Sequence, residues 1–554
     1  MASATEPGPR LRARPGPVAL WPVLAVGIAV LLGAPIAAVL SSLTRPAVDV
    51  WAHLWQTQLV ELVLNTLALL AGVGAGTLVV GTGLAWLVVH YRFPGRRVFE
   101  WALVLPLAVP AYVIGFTFLG LFEFSGPVQT WLRSVLGPGA RLPELRSYGG
   151  VTLMMTLVFY PYVYLLARAA FREQGAATVE TARSLGWTRA GAFVRVTLPL
   201  ARPSLAAGAA LAMMEALADF GTVATYGYRT LTEAIYRVWY GMFDRVAASQ
   251  LACVLLLLAI LLLSLERASR GRARFTQGHR RGPALAPVPL RGGAAAAATC
   301  ACLGVLGLGF LLPVGQLALW AWQALGAGDV APTMVRLLTT TTMLSAATAA
   351  LACLLALVLA YAGRLHPSRP VRLSGRFASM GYALPGAVIA VGVLLPLAWL
   401  DHHAVPVLER LLGRPLGLLL TGSAVGLVTA YLVRFMAVSF HTVDASLARV
   451  PPALDDAARS LGAGFGATLG RVHLPLVRSG VGTALILVFV ETMKEMPATL
   501  LLRPFGLDTL AVEIWERTSE SMWVEAAAPA LAIVGAGLGP VILAIRWSAA
   551  TTRR

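Results

Sequence analysis

The chain has 554 residues, of which 58% are hydrophobic and 13% charged, with a mean hydropathy of +0.74. A soluble domain carries about 45–50% apolar and about 25% charged residues, so this composition excludes an ordinary soluble globular protein. The net charge of +18 does not mark a nucleic-acid binder, because the basic residues cluster between apolar blocks and not along one face of a soluble domain.

A bilayer-crossing helix needs about 20 apolar residues. Blocks of that kind fall at 18–43, 61–90, 100–122, 148–170, 200–224 and 248–265, and again at 297–322, 336–363, 376–400, 417–441, 476–501 and 525–547. They predict an all-α, polytopic membrane protein of twelve spans. Nothing in the first block reads as a cleavage site, which predicts a retained helix and not a signal peptide. Cys253, Cys300, Cys302 and Cys353 all lie in apolar runs. They match no zinc spacing and no disulfide framework, and read as small membrane-buried side chains.

With the N-terminus inside, the loops alternate so that most of the 44 basic residues and a minority of the 26 acidic ones fall on the inner side. The positive-inside rule then puts both termini in the cytoplasm. Residues 266–292 are basic and rich in Gly and Pro, a cytoplasmic linker. The expected division is a first half at 1–265, this linker, and a second half at 293–554.

An offset of 276 residues superposes two segments. Glu180-Thr-Ala-Arg-Ser-Leu-Gly186 and Leu198-Pro199 match Asp456-Ala-Ala-Arg-Ser-Leu-Gly462 and Leu474-Pro475. The same offset pairs Glu215 with Glu491 and Asp219 with Glu495. Six spans per half is an even number, so the copies face the same way, as a parallel repeat about an axis along the membrane normal. A pathway between the halves is the expected geometry.

Both matched segments fall in inner loops, at about 172–199 and 442–475. Ala182 and Gly186 are four apart, as are Ala458 and Gly462. Small residues on one face let another protein's backbone approach closely, and each Gly is placed to end a short helix. Pro451, Pro452, Asp455 and Asp456 suit the start of the second helix.

Glu180, Ala182, Gly186, Leu198 and Pro199, with Asp456, Ala458, Gly462, Leu474 and Pro475, resemble the cytoplasmic loop of binding-protein-dependent ABC permeases. The second copy carries Asp456 where that family has Glu. Further stretches (160–171, 217–221, 431–435, 491–499 and 500–504) are similar to fused, twelve-span permeases of ferric-iron importers. The resemblance implies a type I importer permease fold in a bacterial inner membrane, with the short helices coupling to two copies of a cytoplasmic ABC ATPase. It also implies an extracytoplasmic substrate-binding protein. Related branches carry thiamine, polyamines or other small solutes. Twelve spans in two parallel halves also occur in gradient-driven secondary transporters, but the loop 90–97 lacks the acidic residue of their usual motif.

A P-loop needs Lys followed by Ser or Thr. The one lysine, Lys494, is followed by Glu495, so ATP hydrolysis falls to a partner and no cofactor is expected on this chain. No catalytic constellation, metal cluster or nucleic-acid surface is expected; the other partner is the bilayer itself.

Glu215, Asp219, Glu491, Lys494 and Glu495 sit in predicted spans. A charge at the bilayer centre costs roughly 2.5–3.5 kcal/mol, so such residues face a bundle interior or water. They are read as lining the pathway and favouring a cation, or as an interhelical ion pair, for instance Lys494 with an acid of the other half. Arg168 and Arg434 read as snorkelling from the inner ends of the fourth and tenth spans.

Overall fold

With no water in the hydrocarbon core to bond a free N–H or C=O, the apolar blocks satisfy their backbones internally as helices. The computed structural model describes residues 20–44, 48–174, 182, 184, 186–270, 287–326 and 331–551. Among these, twelve helices are long and apolar enough to cross a bilayer.

In the first half they are α1 (Leu20–Ser41), α2 (Leu59–His90), α3 (Ala111–Phe122), α4 (Tyr148–Glu173), α5 (Leu198–Ala218) and α6 (Arg245–Arg270). In the second they are α7 (Gly292–Gly326), α8 (Ala331–Leu365), α9 (Gly386–His403), α10 (Ala424–Leu447), α11 (Leu474–Met493) and α12 (Trp523–Thr551). α3 and α9 reach spanning length together with the short helices Pro127–Leu136 and Val405–Leu412 that follow them.

Four expected spans are broken. The block 100–122 splits into a helix Arg96–Ala102, a 3₁₀ turn Leu105–Ala108 and α3. The block 376–400 splits in the same way, into Arg369–Ala378, Met380–Ala383 and α9. The cause is Pro110 and Pro385. A residue before proline is pushed out of the α region, and Val109 and Leu384 are extended, with ψ of 124° and 133°. The blocks 200–224 and 476–501 also stop early, at Ala218 and Met493, each followed by a second short helix, Gly221–Thr225 and Pro497–Leu502.

Each half lends its first helix to the other. α1 packs along α8 and α9; Trp21 and Tyr361 meet edge to face at 5.6 Å. Where α1 crosses α9 the backbones nearly touch, and a Cβ on Gly392 would lie 2.4 Å from the Pro35 carbonyl oxygen. α7 lies against α4 and α12, and the Phe116 ring of α3 stacks on Trp523 of α12 at 6.1 Å.

The duplication extends to single hydrogen bonds. Thr66 of α2 accepts the Leu231 N–H at 3.1 Å, and Thr341 of α8 accepts the Leu510 N–H at 2.9 Å. The end of the linker is stitched to the first half, with Val288–Pro289 pairing in parallel with Tyr91–Arg92. Cys253, Cys302 and Cys353 are buried, whereas Cys300 points outward from α7.

Candidate translocation pathway and docking loops

Three of the four helix breaks line one cavity, and the fourth, at Pro385, lies beside it with Gly386 against Arg434 and Glu495. Val109, Pro110 and Ala111 at the α3 break, Ala218 to Gly221 after α5, and Lys494 to Pro497 after α11 line a single cavity of about 100 Å³. Tyr112, Tyr162 and Phe435 contribute rings. All five charged residues singled out from the sequence, Glu215, Asp219, Glu491, Lys494 and Glu495, are in this lining.

Two of them do a local job there. The Asp219 carboxylate accepts the Thr222 and Val223 N–H groups at 2.8 and 3.4 Å and the Thr222 hydroxyl at 3.0 Å. Glu495 accepts the Ala498 and Thr499 N–H groups at 3.0 and 3.1 Å and the Thr499 hydroxyl at 2.9 Å. Each acid thus caps the short helix after the break, satisfying amides that would otherwise lack partners.

The bases come from the second half. Lys494 Nζ lies 2.8 Å from Glu491 Oε1, one helical turn away, so its partner is an acid of its own half and not of the other. Arg434 belongs to the middle of α10 and not to its inner end. It does not snorkel: its Nη1 is 3.4 Å from Glu495 Oε1, within the cavity lining. A Cβ on Gly386 would lie 2.5 Å from Arg434 Nη1 and 2.7 Å from Glu495 Oε1, so a side chain there would displace the pair. Arg168 does not simply snorkel either; its Nη2 donates to Glu100 Oε1 at 2.6 Å, and Arg172 bonds the same oxygen. Four carboxylates and two bases therefore line the cavity. Two neutral-sum pairs leave an acid excess, and in a confined, partly dry site that excess favours a cation.

The two matched loops also repeat. The second contains the helix Ala453–Ser460, closed by Gly462 at φ +75°, with the Ala463 N–H returning to the Ala458 carbonyl at 2.9 Å. In the first, Gly186 sits at φ +87° and the Trp187 N–H returns to the Ala182 carbonyl at 3.2 Å. This is the glycine C-cap, in a conformation costly for any other residue. Glu180 lies outside the described residues.

The small face is not all open. Ala182 and Ala458 are buried, while Gly186, Gly462, Asp456 and Leu461 are exposed. The αL turn at each glycine takes it off the alanine's face, so the alanines pack beneath the loop and the glycines end it. Asp456 pairs with Arg459 on the outer surface of the helix.

Leu198 with Pro199, and Leu474 with Pro475, open α5 and α11 directly after π turns at Phe193–Thr197 and Leu469–His473. Proline has no N–H to return to residue i−4. The turn before it opens instead, with the Leu198 N–H bonded to the Phe193 carbonyl and the Leu474 N–H to that of Leu469.

Known proteins agree with this arrangement. The model of the binding-protein-dependent transport system inner membrane component matches the chain twice, at 77–274 and 352–554. The Fe(3+)-transport system permease protein FbpB 2 of Haemophilus influenzae is 26% identical over 89% of this chain and 91% of its own length. The sulfate transport system permease protein CysT of Escherichia coli is 31% identical over 43% of this chain and 86% of its own. The molybdenum transport system permease protein ModB of Escherichia coli is 30% identical over 40% and 96%. The fold is that of a type I ABC importer permease, which works with an ATPase and a substrate-binding protein. The chain belongs to the family of binding-protein-dependent transport system inner membrane components, as a multi-pass permease carrying the family unit twice.

Proposed function

We propose that the chain forms the pathway of a ferric-iron importer. The observation that carries this reading is the acid excess of the cavity between the halves, where Glu215, Asp219, Glu491 and Glu495 face Arg434 and Lys494. A passage for a dianion such as sulfate would be opposed by that excess, while a multivalent cation is drawn to it. A relative that matches 89% of this chain is named for ferric iron, in support.

The halves 1–265 and 293–554, joined by 266–292, supply two moving bundles, each carrying the first helix of the other half. Both termini are cytoplasmic in a bacterial inner membrane. The loop ended by Gly186 and the helix Ala453–Ser460 each dock on one of two ATPase copies, with Glu180 and Asp456 as the matched acids of the two loop sequences and Leu198-Pro199 and Leu474-Pro475 leading into α5 and α11. ATP is used by those subunits, and no cofactor is bound by this chain. Purifying the cognate binding protein with its native ligand tests the cargo: iron found in it supports the reading, and sulfate, another oxyanion or an organic solute overturns it.

A further inference from the structure

Three membrane helices converge on one carboxylate at the start of the second inner-loop helix. Arg364, at the inner end of α8, donates Nε to Asp455 Oδ2 at 2.9 Å. Its Nη1 donates to the Leu447 and Val450 carbonyls at 3.0 and 3.1 Å, and its Nη2 to Val450 at 3.1 Å. One guanidinium therefore caps the C-terminal end of α10, where a cation is favoured, and grips the first turn of the docking helix. His473, the last residue of the π turn before α11, is 1% exposed. Its Nε2 lies 2.5 Å from Asp455 Oδ1, and its Nδ1 lies 3.1 Å from the Tyr361 hydroxyl of α8.

The first half has no counterpart in its sequence. At an offset of 275, which also pairs Pro110 with Pro385 and Thr66 with Thr341, Val89 stands opposite Arg364 and Trp86 opposite Tyr361; at 276, Thr197 stands opposite His473 and Val179 opposite Asp455. Its π turn is held by rings, with Trp86 and Phe193 centroids 4.1 Å apart and Phe171 6.0 Å from Phe193, and by one neutral amide, Gln174 Nε2 donating to the Thr197 carbonyl at 3.1 Å. Ring contacts and a single neutral amide bond constrain a turn less than a charge-assisted bond such as that of Arg364 to Asp455, which fixes direction and length.

We propose that Asp455, held by Arg364 and His473, is the positioning residue through which the second docking helix drives α11, so that the second half transmits more of the ATPase stroke than the first. This rests on the reading that the helix Ala453–Ser460 docks an ATPase.

The test uses the full reconstituted complex carrying Leu461→Cys, an 86% exposed position beside the docking helix, cross-linked to a cysteine on the ATPase. Asp455→Asn is expected to keep the cross-link yield while solute moved per ATP hydrolysed falls about tenfold, the scale of one charged hydrogen bond. Arg364→Met should reproduce the loss and Asp455→Glu should recover most of it. Trp86→Phe in the first half should leave the ratio near the wild-type value. An unchanged ratio in Asp455→Asn overturns the proposal. So does loss of the cross-link together with transport, which reduces Asp455 to holding the helix in place. No cross-link in the parent Leu461→Cys complex overturns the docking reading itself, and is seen before Asp455 is altered.

Discussion

Asp219 and Glu495 stand 276 positions apart and make the same bonds: each carboxylate takes the backbone N–H groups of the residues three and four further on, and the hydroxyl of a threonine among them. The two acids are helix caps built into the wall of the cavity between the halves. Charge and capping can be separated there, because an amide keeps an acceptor oxygen and alanine does not. Asp219→Ala should lower the stability of the first half by about 1 kcal/mol, the usual cost of a lost cap. Asp219→Asn should preserve stability, read as thermal unfolding of the purified complex, and still reduce solute uptake.

Lys494 and Glu491 form a pair in the same wall at 2.8 Å. Removing one partner leaves the other charged in a poorly solvated place, which is worse than removing both. Lys494→Gln is expected to lower the amount of intact complex recovered from membranes, and adding Glu491→Gln should recover it. Quantitative blotting of solubilised complex reads the order of the three.

Gly462 at φ +75° tests the second docking loop. Asparagine tolerates that backbone and arginine does so poorly while adding bulk. Gly462→Asn should keep uptake within a few-fold of wild type. Gly462→Arg should abolish ATP-driven uptake while the permease still reaches the membrane, measured as transport per unit of membrane-inserted protein.

The crossing of α1 over α9 tests the exchange of first helices between halves. A Cβ at Gly392 meets the Pro35 carbonyl at 2.4 Å, backbone that cannot turn aside. Gly392→Ala should cost about 1–3 kcal/mol, the range for overpacking, seen as a lower melting temperature. Gly293→Ala, a neighbour-free position at the start of α7, should not.

The span count and the repeat were legible because apolar length and matched polar letters survive in a single sequence. The breaks at Pro110 and Pro385 were also written there, since proline and the residue before it are restricted; the continuous apolar run hid them. The caps were half-visible: Asp219 and Glu495 stand where a start signal for a new helix belongs, yet their depth in an apolar block read as pathway charge. Arg434 and Arg364 were not legible. Which face of α10 meets the cavity, and which carbonyls lie within reach of α8, depend on packing between segments tens of residues apart. The buried alanines of the inner loops were misjudged because helical spacing puts Ala182 and Gly186 on one face, whereas the αL turn at the glycine ends that face.

The most direct measurement is ATP-driven uptake of radioactive ferric iron into proteoliposomes holding the permease with its ATPase and loaded binding protein, compared with Glu215→Gln. Glu215 lines the cavity and pairs by sequence with Glu491. The permease reading predicts iron uptake that needs ATP, is not displaced by excess sulfate, and falls in Glu215→Gln while the complex stays assembled. Sulfate uptake in place of iron, or iron uptake unchanged in Glu215→Gln, would contradict it.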